Sequence, residues 1–582
     1  MKLVFDIETD DLNYTKVWCI VAKEEHPDCI GKVHAFGPDM IEEGIKFLQQ
    51  ADTLIGHNIM GFDIPCLEDL FNVKFDCKIV DTLVMSRLAN PIQENGHSLG
   101  TWGYRLKFHK GTQPEDFTVF NKQMLEYCIQ DVELNERVYH ALQVSMKGFG
   151  KESIDIEHQV TQILTDQERH GFKLDERKTM DLLIYFKTKM SEIEQEVTKT
   201  FQPRWVDDKL VIPKYKKDGG LSKVGLTDDE FEAVNQKISL GHPLKPFMRK
   251  KLQPFNLGSR KQIGEYLMEL GWKPNKHTPT GQPIIDEGTL KKIEHIKEAK
   301  LIADYLLYQK RIGQLSSWLD NIKDDRVHGK VISNGTITGR MTHIKPNMAQ
   351  IPNLGSAYGK ECRECWIVDQ GYKLVGIDAS GLELRMLAHY MNDEDYINEV
   401  INGDIHTANQ RLANLKSRDQ AKTFIYALIY GAGDGKIGSV VGGSRNHGKK
   451  LKATFLSNLP ALKVLTDQVR RAAGRGFLKG LDRRNIQVRS EHSALNTLLQ
   501  GGGAIVMKKG LLILNEKIKE HNLDAKFVGN IHDEWQIEAL AEHADQVGKL
   551  GVEAIEQAGV HFNLRCPLTG EYKVGDNWSE TH

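Results

Sequence analysis

Arg418-Asp-Gln-Ala-Lys422-Thr-Phe-Ile-Tyr426-Ala-Leu-Ile-Tyr430-Gly431 sets two cations and then two tyrosines at every fourth position. On an α-helix that spacing keeps all four side chains on one slowly drifting face, one turn apart. The cations lie nearest the positive end of the helix dipole, and the rings follow. A nucleoside triphosphate has the same polarity, with anionic phosphates at one end and a flat base at the other. The segment lies between two strand-like stretches that each carry an aspartate. Upstream, Lys373-Leu-Val-Gly-Ile-Asp378-Ala379-Ser-Gly-Leu-Glu383-Leu-Arg385 reads as a strand, a tight turn and a helix start. Downstream, Phe527-Val-Gly-Asn-Ile-His532-Asp533-Glu534-Trp-Gln-Ile reads as a hairpin with its acids at the turn. If Asp378 and Asp533 reach one sheet face, they form a pair able to hold two divalent ions for phosphoryl transfer. The nucleophile would be a primer 3′-hydroxyl and the leaving group pyrophosphate, with Lys422 placed to donate a proton to it.

A second group of carboxylates lies at the N-terminus. Lys2-Leu-Val-Phe-Asp6-Ile-Glu8-Thr9 alternates like a strand, so Asp6 and Glu8 point to one face. Asn58-Ile-Met-Gly-Phe62-Asp63 supplies a third carboxylate. Tyr127-Cys-Ile-Gln-Asp131 puts a phenol and a fourth carboxylate on one helix face. Gathered together, four carboxylates repel unless hard divalent cations bind between them. Two such ions about 4 Å apart suit phosphodiester cleavage, and Tyr127 is placed to orient the attacking water. Any one of these acids alone reads as a solvated surface group. The ordered set does not.

Composition bounds the rest. A chain of 582 residues favours three or four domains, and 40% hydrophobic content supplies several ordinary cores. A net charge of −2 excludes a globally basic protein but not local basic patches. No apolar run approaches the length of a membrane span, and Asp6 and Glu8 stand where a signal peptide needs an apolar core. The eight cysteines are scattered, which points to a reducing cytoplasm. Cys362 and Cys365 form a lone CxxC, read as two reduced thiols rather than a zinc site. Gly431-Ala-Gly-Asp-Gly-Lys436 imitates a phosphate loop but lacks its spacing, and reads as the flexible end of the preceding helix. Residues 203–255 change character, with eleven Lys/Arg against seven Asp/Glu and Trp205, Tyr215, Phe231 and Phe247 interspersed.

The N-terminal set resembles DEDD-type 3′–5′ exonucleases of the branch with tyrosine in the third motif. Asp378-Ala-Ser-Gly-Leu-Glu383-Leu-Arg385, the Arg418–Gly431 helix and His532-Asp533-Glu534 resemble motifs A, B and C of family A DNA polymerases. The wording of Gly376–Arg385, Ala421–Tyr426 and His492–Gln500 more closely resembles the replicative polymerases of short-tailed phages, typified by bacteriophage T-seven. Departures from the cellular pattern, at Met348-Ala-Gln350-Ile-Pro352 and His492, follow that phage branch.

The resemblance implies an α/β multidomain chain. An RNase H-like 3′–5′ exonuclease domain (1–148) precedes a right-hand polymerase with thumb (149–325, insertion about 203–255), palm (326–390 and 490–582) and fingers (391–489). It implies template-directed DNA synthesis with proofreading and no 5′ nuclease. Asp378, the Ala379 carbonyl and Asp533 would bind two Mg2+ ions, with Mn2+ able to substitute. Glu534 would assist, and Asp6, Glu8, Asp63 and Asp131 would bind the exonuclease pair. His406, Arg418 and Lys422 would hold the triphosphate. Tyr426 would face the sugar and tolerate a missing 3′-hydroxyl, and Tyr430 would pack near the templating base. Glu383 would exclude a ribose 2′-hydroxyl. Arg340, Asn347, Asn496, Gln500 and His532 would contact primer–template DNA, with Arg340, Asn496 and Gln500 donating to minor-groove acceptors common to all base pairs.

The phage branch carries a basic, aromatic-containing insertion at the place of residues 203–255, which in its best-known member recruits host thioredoxin and grips duplex DNA. Here Lys214, Lys216, Lys217, Arg249, Lys250 and Lys251 suit phosphate contact. A thioredoxin-like processivity factor and a helicase–primase are the partners the resemblance admits, in a host cytoplasm and with no membrane. The joint presence of Asp378, Lys422 and Asp533 weighs against a nuclease that only grips DNA and against a silent scaffold. Glu383 weighs against RNA synthesis.

Overall fold

In the computed structural model, which describes residues 1–582, the strand Lys2–Thr9 is central to a five-stranded sheet. The order is Val33–Phe36, Val17–Glu24, Lys2–Thr9, Thr53–Gly56, Lys78–Asp81. Val17–Glu24 pairs antiparallel with the central strand and Thr53–Gly56 pairs parallel with it. Alternation sorts the side chains between two cores. Leu3, Phe5 and Ile7 pack with Ile20, Leu54 and Leu67. Val4 packs on the opposite face with Val21, Ile55, Val132 and Val138. Asp6 and Glu8 continue the Val4 face, toward the helix Lys122–Ser145.

A second sheet is antiparallel throughout, in the order Ala525–Ile531, Glu534–Leu540, Tyr372–Ala379, Gly570–Gly575. Its register sets Asp378 between Glu534 on one neighbour and Glu571 on the other. The helices Ala494–Glu520 and Ala544–His561 pack against it through Val506, Leu511, Leu550 and Ile555. Contrary to the expectation from sequence, one apolar run reaches the length of a membrane span. The stretch Glu491–Glu520 is long and apolar enough to cross a membrane by length and composition, yet 78% of its apolar window is buried. Its apolarity serves the protein core.

Between the strand of Asp378 and the turn of Asp533 the chain is mainly helical. The helix Arg418–Ile429 buries Phe424, Ile425 and Leu428 among Phe455 and Leu462, leaving its cationic face outward. It ends where Gly431 takes φ +72° and the Ala432 N–H donates to the Ala427 carbonyl. The glycine-rich stretch is therefore not a loose helix end, because a new helix, Asp434–Val440, follows at once.

The chain divides into two compact units, Met1–Glu176 with Asp320–His582, and Arg177–Leu319. The second unit has its own core of Val197, Phe201, Ile263, Leu267 and Ile302. Its basic segment is built rather than looped. Arg204–Val211 pairs antiparallel with Phe247–Gln253, and the helix Asp228–Ser239 between them starts in a Thr227/Glu230 capping box. Two of the cations expected to meet phosphate have acidic partners in the chain. Arg249 Nε donates to Glu230 at 2.6 Å, and Lys251 Nζ lies 2.8 Å from Asp208. Lys214, Lys216 and Lys217 stand exposed.

Candidate functional site

Two groups of acids are assembled, one on each sheet. On the first, Asp63 opens the helix Asp63–Phe71 and its Oδ1 accepts from the Ile7 N–H at 3.2 Å, which docks it beside the strand of Asp6 and Glu8. Burial, then the charges of Asp63, Asp131 and Glu8, raises the Asp6 carboxyl well above the usual range. Burial and Asp131 push Glu8 up to about 8. Burial pushes Asp63 to about 7. Asp131 Oδ1 is buried with no hydrogen-bond partner. Crowded carboxylates and an orphaned oxygen fit hard divalent cations, whose charge would relieve both. The Cys128 thiol lies 3.8 Å from Asp6 Oδ2, but burial holds it protonated, so it acts as a donor there.

The sequence reading missed two residues here. Lys110 Nζ sits 2.6 Å from Asp131 Oδ2 and 4.7 Å from the centroid of the Tyr127 ring. Burial opposes its charge, and Asp131 more than restores it. Lys110 lies in a stretch without periodicity, so nothing in the sequence marks it. Asp81 is the other. Its carboxylate accepts from Asn58 N at 2.9 Å, Met60 N at 3.1 Å and Leu83 N at 2.8 Å. It thereby fixes the loop before Asp63, in which Asn58 takes φ +68°. Its place before a helical stretch, as an N-cap, was the available signal.

On the second sheet, the Ala379 N–H donates to the Asp533 carbonyl at 3.1 Å, joining the strand end after Asp378 to the turn that holds Asp533. Burial, then Asp533 and Glu534, pushes Asp378 to about 7, and burial raises Asp533 too. This pair also suits divalent cations. Glu534 behaves differently. Its Oε1 accepts from Trp578 Nε1 at 2.7 Å and Gln536 Nε2 at 2.5 Å, and its Oε2 pairs with His582 Nδ1 at 2.7 Å. Burial alone would raise it, but these partners hold it below the usual range.

Glu383 is held by Tyr430, whose hydroxyl donates at 2.7 Å, and by Arg340 Nη2 at 3.1 Å. Arg340 shares a small cavity with His532, Asp533 and Glu534. The rings of Tyr426 and Tyr430 stack at 6.4 Å, and His406 lies 6.2 Å from Tyr426. Burial, then Arg418 and Lys422, lowers His406. Arg418 is anchored by Asp404 at 2.7 Å, while Lys422 stands exposed. Asn496 and Gln500 lie one turn apart on the helix Ala494–Glu520, and Asn496 Oδ1 is buried without a partner. Asn347 is exposed before the turn Met348–Gln350.

The chain is similar to proteins of known activity. Residues 244–580 match the model of DNA polymerase family A. The DNA-directed DNA polymerase of Enterobacteria phage T3 is 33% identical, with all of both chains covered. That of Escherichia phage T7 is 34% identical over 91% of this chain and 92% of its own. Among solved structures, the polymerase domain of an M. smegmatis enzyme, in complex with DNA primer-template and dNTP, superposes with a TM-score of 0.79 at 17% identity. It covers 99% of this chain and 95% of its own.

Proposed function

The chain belongs to DNA polymerase family A and carries out template-directed DNA synthesis; we propose that Asp378 and Asp533 are its synthetic centre and that Asp6, Glu8, Asp63, Tyr127 and Asp131 edit its product. The observation that supports the first assignment is the junction of Asp378 with the Asp533 turn, which brings two like charges together at the end of one sheet. Enzymes of this family depend on divalent metal. We assign two Mg2+ ions to each centre, with Mn2+ as a substitute. When bound, they activate the attacking oxygen and take up charge on the leaving one.

The chain's own residues do the rest. Lys422 and Arg418 face the triphosphate, and Lys422 protonates the leaving pyrophosphate. Tyr426 packs on the sugar, and His406 beside it helps hold the phosphates. Glu383, fixed by Tyr430 and Arg340, occupies the space of a ribose 2′-hydroxyl and so selects deoxynucleotides. Arg340, Asn347, Asn496, Gln500 and His532 contact primer and template. At the editing centre Tyr127 orients a water against the terminal phosphodiester. We take 1–148 as the exonuclease domain, 149–325 as thumb, 326–390 and 490–582 as palm and 391–489 as fingers.

In the segment 203–255, Trp205 and Leu252 are cross-strand partners, as are Leu210 and Met248, and all four are exposed. We infer a docking strip there for a small thioredoxin-like processivity factor. A thioredoxin pull-down that leaves product length unchanged would remove that partner.

The deciding experiment is extension of a labelled primer with a mismatched end, with Mg2+, with and without deoxynucleotides. Shortening without nucleotides and full extension with them is the expected result. Shortening in both lanes would leave only the nuclease.

A further inference from the structure

Glu534 adjoins Asp533 in sequence and lies opposite Asp378 in the sheet register. A carboxylate in that place could turn its oxygens into the Asp378/Asp533 pair as a further ligand. In this structure its charge is felt at Asp378, but both its oxygens are occupied by Trp578, Gln536 and His582. The three partners form one assembly. Thr581 Oγ1 donates to Gln536 Oε1 at 2.8 Å. The Thr581 carbonyl lies over Gly376, two residues before Asp378, where a Cβ would come within 2.0 Å of it. Trp578 is fully buried, and its backbone N–H donates to the Trp366 carbonyl at 3.0 Å. Lys573 Nζ donates to the His582 carbonyl at 2.9 Å. The C-terminal residues thus reach the strand Tyr372–Ala379, which carries Asp378. His582 closes the assembly on the side of Glu534.

We propose that His582 is a positioning residue for DNA synthesis: by holding Glu534 Oε2 it keeps that carboxylate out of the metal-binding pair and fixes the turn that presents Asp533. Trp578 and Gln536 hold the other oxygen from within the fold, so His582 is the contact that decides where Oε2 points. Its side chain is 34% exposed, so its loss leaves no large cavity.

The inference rests on Asp378 and Asp533 being the synthetic pair. The two can fail separately, because an Asp533→Ala enzyme that still extends primers overturns the pair itself. The test is steady-state and single-turnover primer extension by His582→Ala, His582→Asn and Glu534→Gln enzymes and the His582→Ala/Glu534→Gln double variant. Melting temperature and primer–template affinity serve as folding controls. His582→Ala should lower kcat about tenfold, the size of one hydrogen bond to a charged group, with KM for deoxynucleotide within about twofold. Asparagine places an amide nitrogen where the imidazole Nδ1 was, so His582→Asn should recover most of the loss. The double variant should lose no more than the worse single variant, since both changes break one contact. Backbone hydrogen exchange at residues 531–535 should quicken in His582→Ala but not in the helix Lys122–Ser145. An unchanged kcat in a folded His582→Ala enzyme overturns the proposal. So does a loss that His582→Asn fails to recover and that adds fully to the Glu534→Gln loss.

Discussion

At the scale of single residues, the chemistry is carried by side chains whose neighbours hold them in one place. Glu383 shows this best. A lone glutamate at a helix start would sample several rotamers, but Tyr430 and Arg340 pin its carboxylate. In the proposed role, a carboxylate fixed there leaves no room for a 2′-hydroxyl. Glu383→Ala should therefore raise ribonucleotide incorporation relative to deoxynucleotide by about 10–100-fold, read from single-nucleotide insertion kinetics. Lys110 makes the complementary case. Its ammonium ion already neutralises part of the charge on Asp131, so it competes with a cation at that carboxylate. Lys110→Met should tighten Mn2+ binding at the N-terminal acids proposed to edit, measured by titration of an Asp533→Ala background, and an unchanged affinity would remove that role. Asp6 with Glu8, and Tyr127 with Asp131, were legible because strand alternation and helix spacing fix which face they share, while Asp378, Asp533 and Asp63 were legible only as acids at the ends of predicted elements. Lys110 and His582 were not, since their contacts join segments far apart in sequence that no local rule connects.

At the scale of elements, loops are held by charges rather than by their own propensity. Asp81 takes three backbone N–H groups and is 1% exposed. Asp81→Ala leaves those donors buried and unpaired, which should cost about 2–4 kcal/mol of stability by denaturant titration and slow the exonuclease more than synthesis. The helix Arg418–Ile429 was legible to within a turn, because four i, i+4 positions and Gly431 mark its face and its end. The helix Asp434–Val440 was not, because a Gly-rich composition reads as loop until packing is known. In the structure, Ile437 is fully buried in the same core as Phe455. The hairpin inside residues 203–255 escaped for a related reason. Its strands are defined by cross-strand pairs and a bulge at Asp207/Lys209, and neither leaves a clean alternation in the sequence.

At the scale of the whole molecule, two groups of acids share one chain, and the proposed assignments make them independent centres. Asp533→Ala should abolish primer extension and spare shortening, and Asp6→Ala with Glu8→Ala should do the reverse. Loss of both activities from either variant would show coupling. The crowded acids also make stability depend on pH in a set direction. Asp378 and Asp63 at about 7 and Glu8 at about 8 hold protons in the folded state that the unfolded chain releases near its ordinary carboxylate values. The folded state therefore binds more protons across that window, and stability falls as pH rises through it. With chelator, the melting temperature should drop between about pH 5 and pH 8, and Mg2+ should restore more of it at the upper end. A drop of equal size in the Asp6→Asn/Glu8→Gln variant would assign it elsewhere. The sequence by itself determined the residue types, their faces and their order, because helix and strand periods are local properties of the backbone. Only the tertiary structure decided that Asp378 meets the Asp533 turn, that Glu534 is occupied by Trp578, Gln536 and His582, and that Lys110 lies on Asp131. Those contacts follow from sheet register and the packing of distant segments, which no short window of sequence contains.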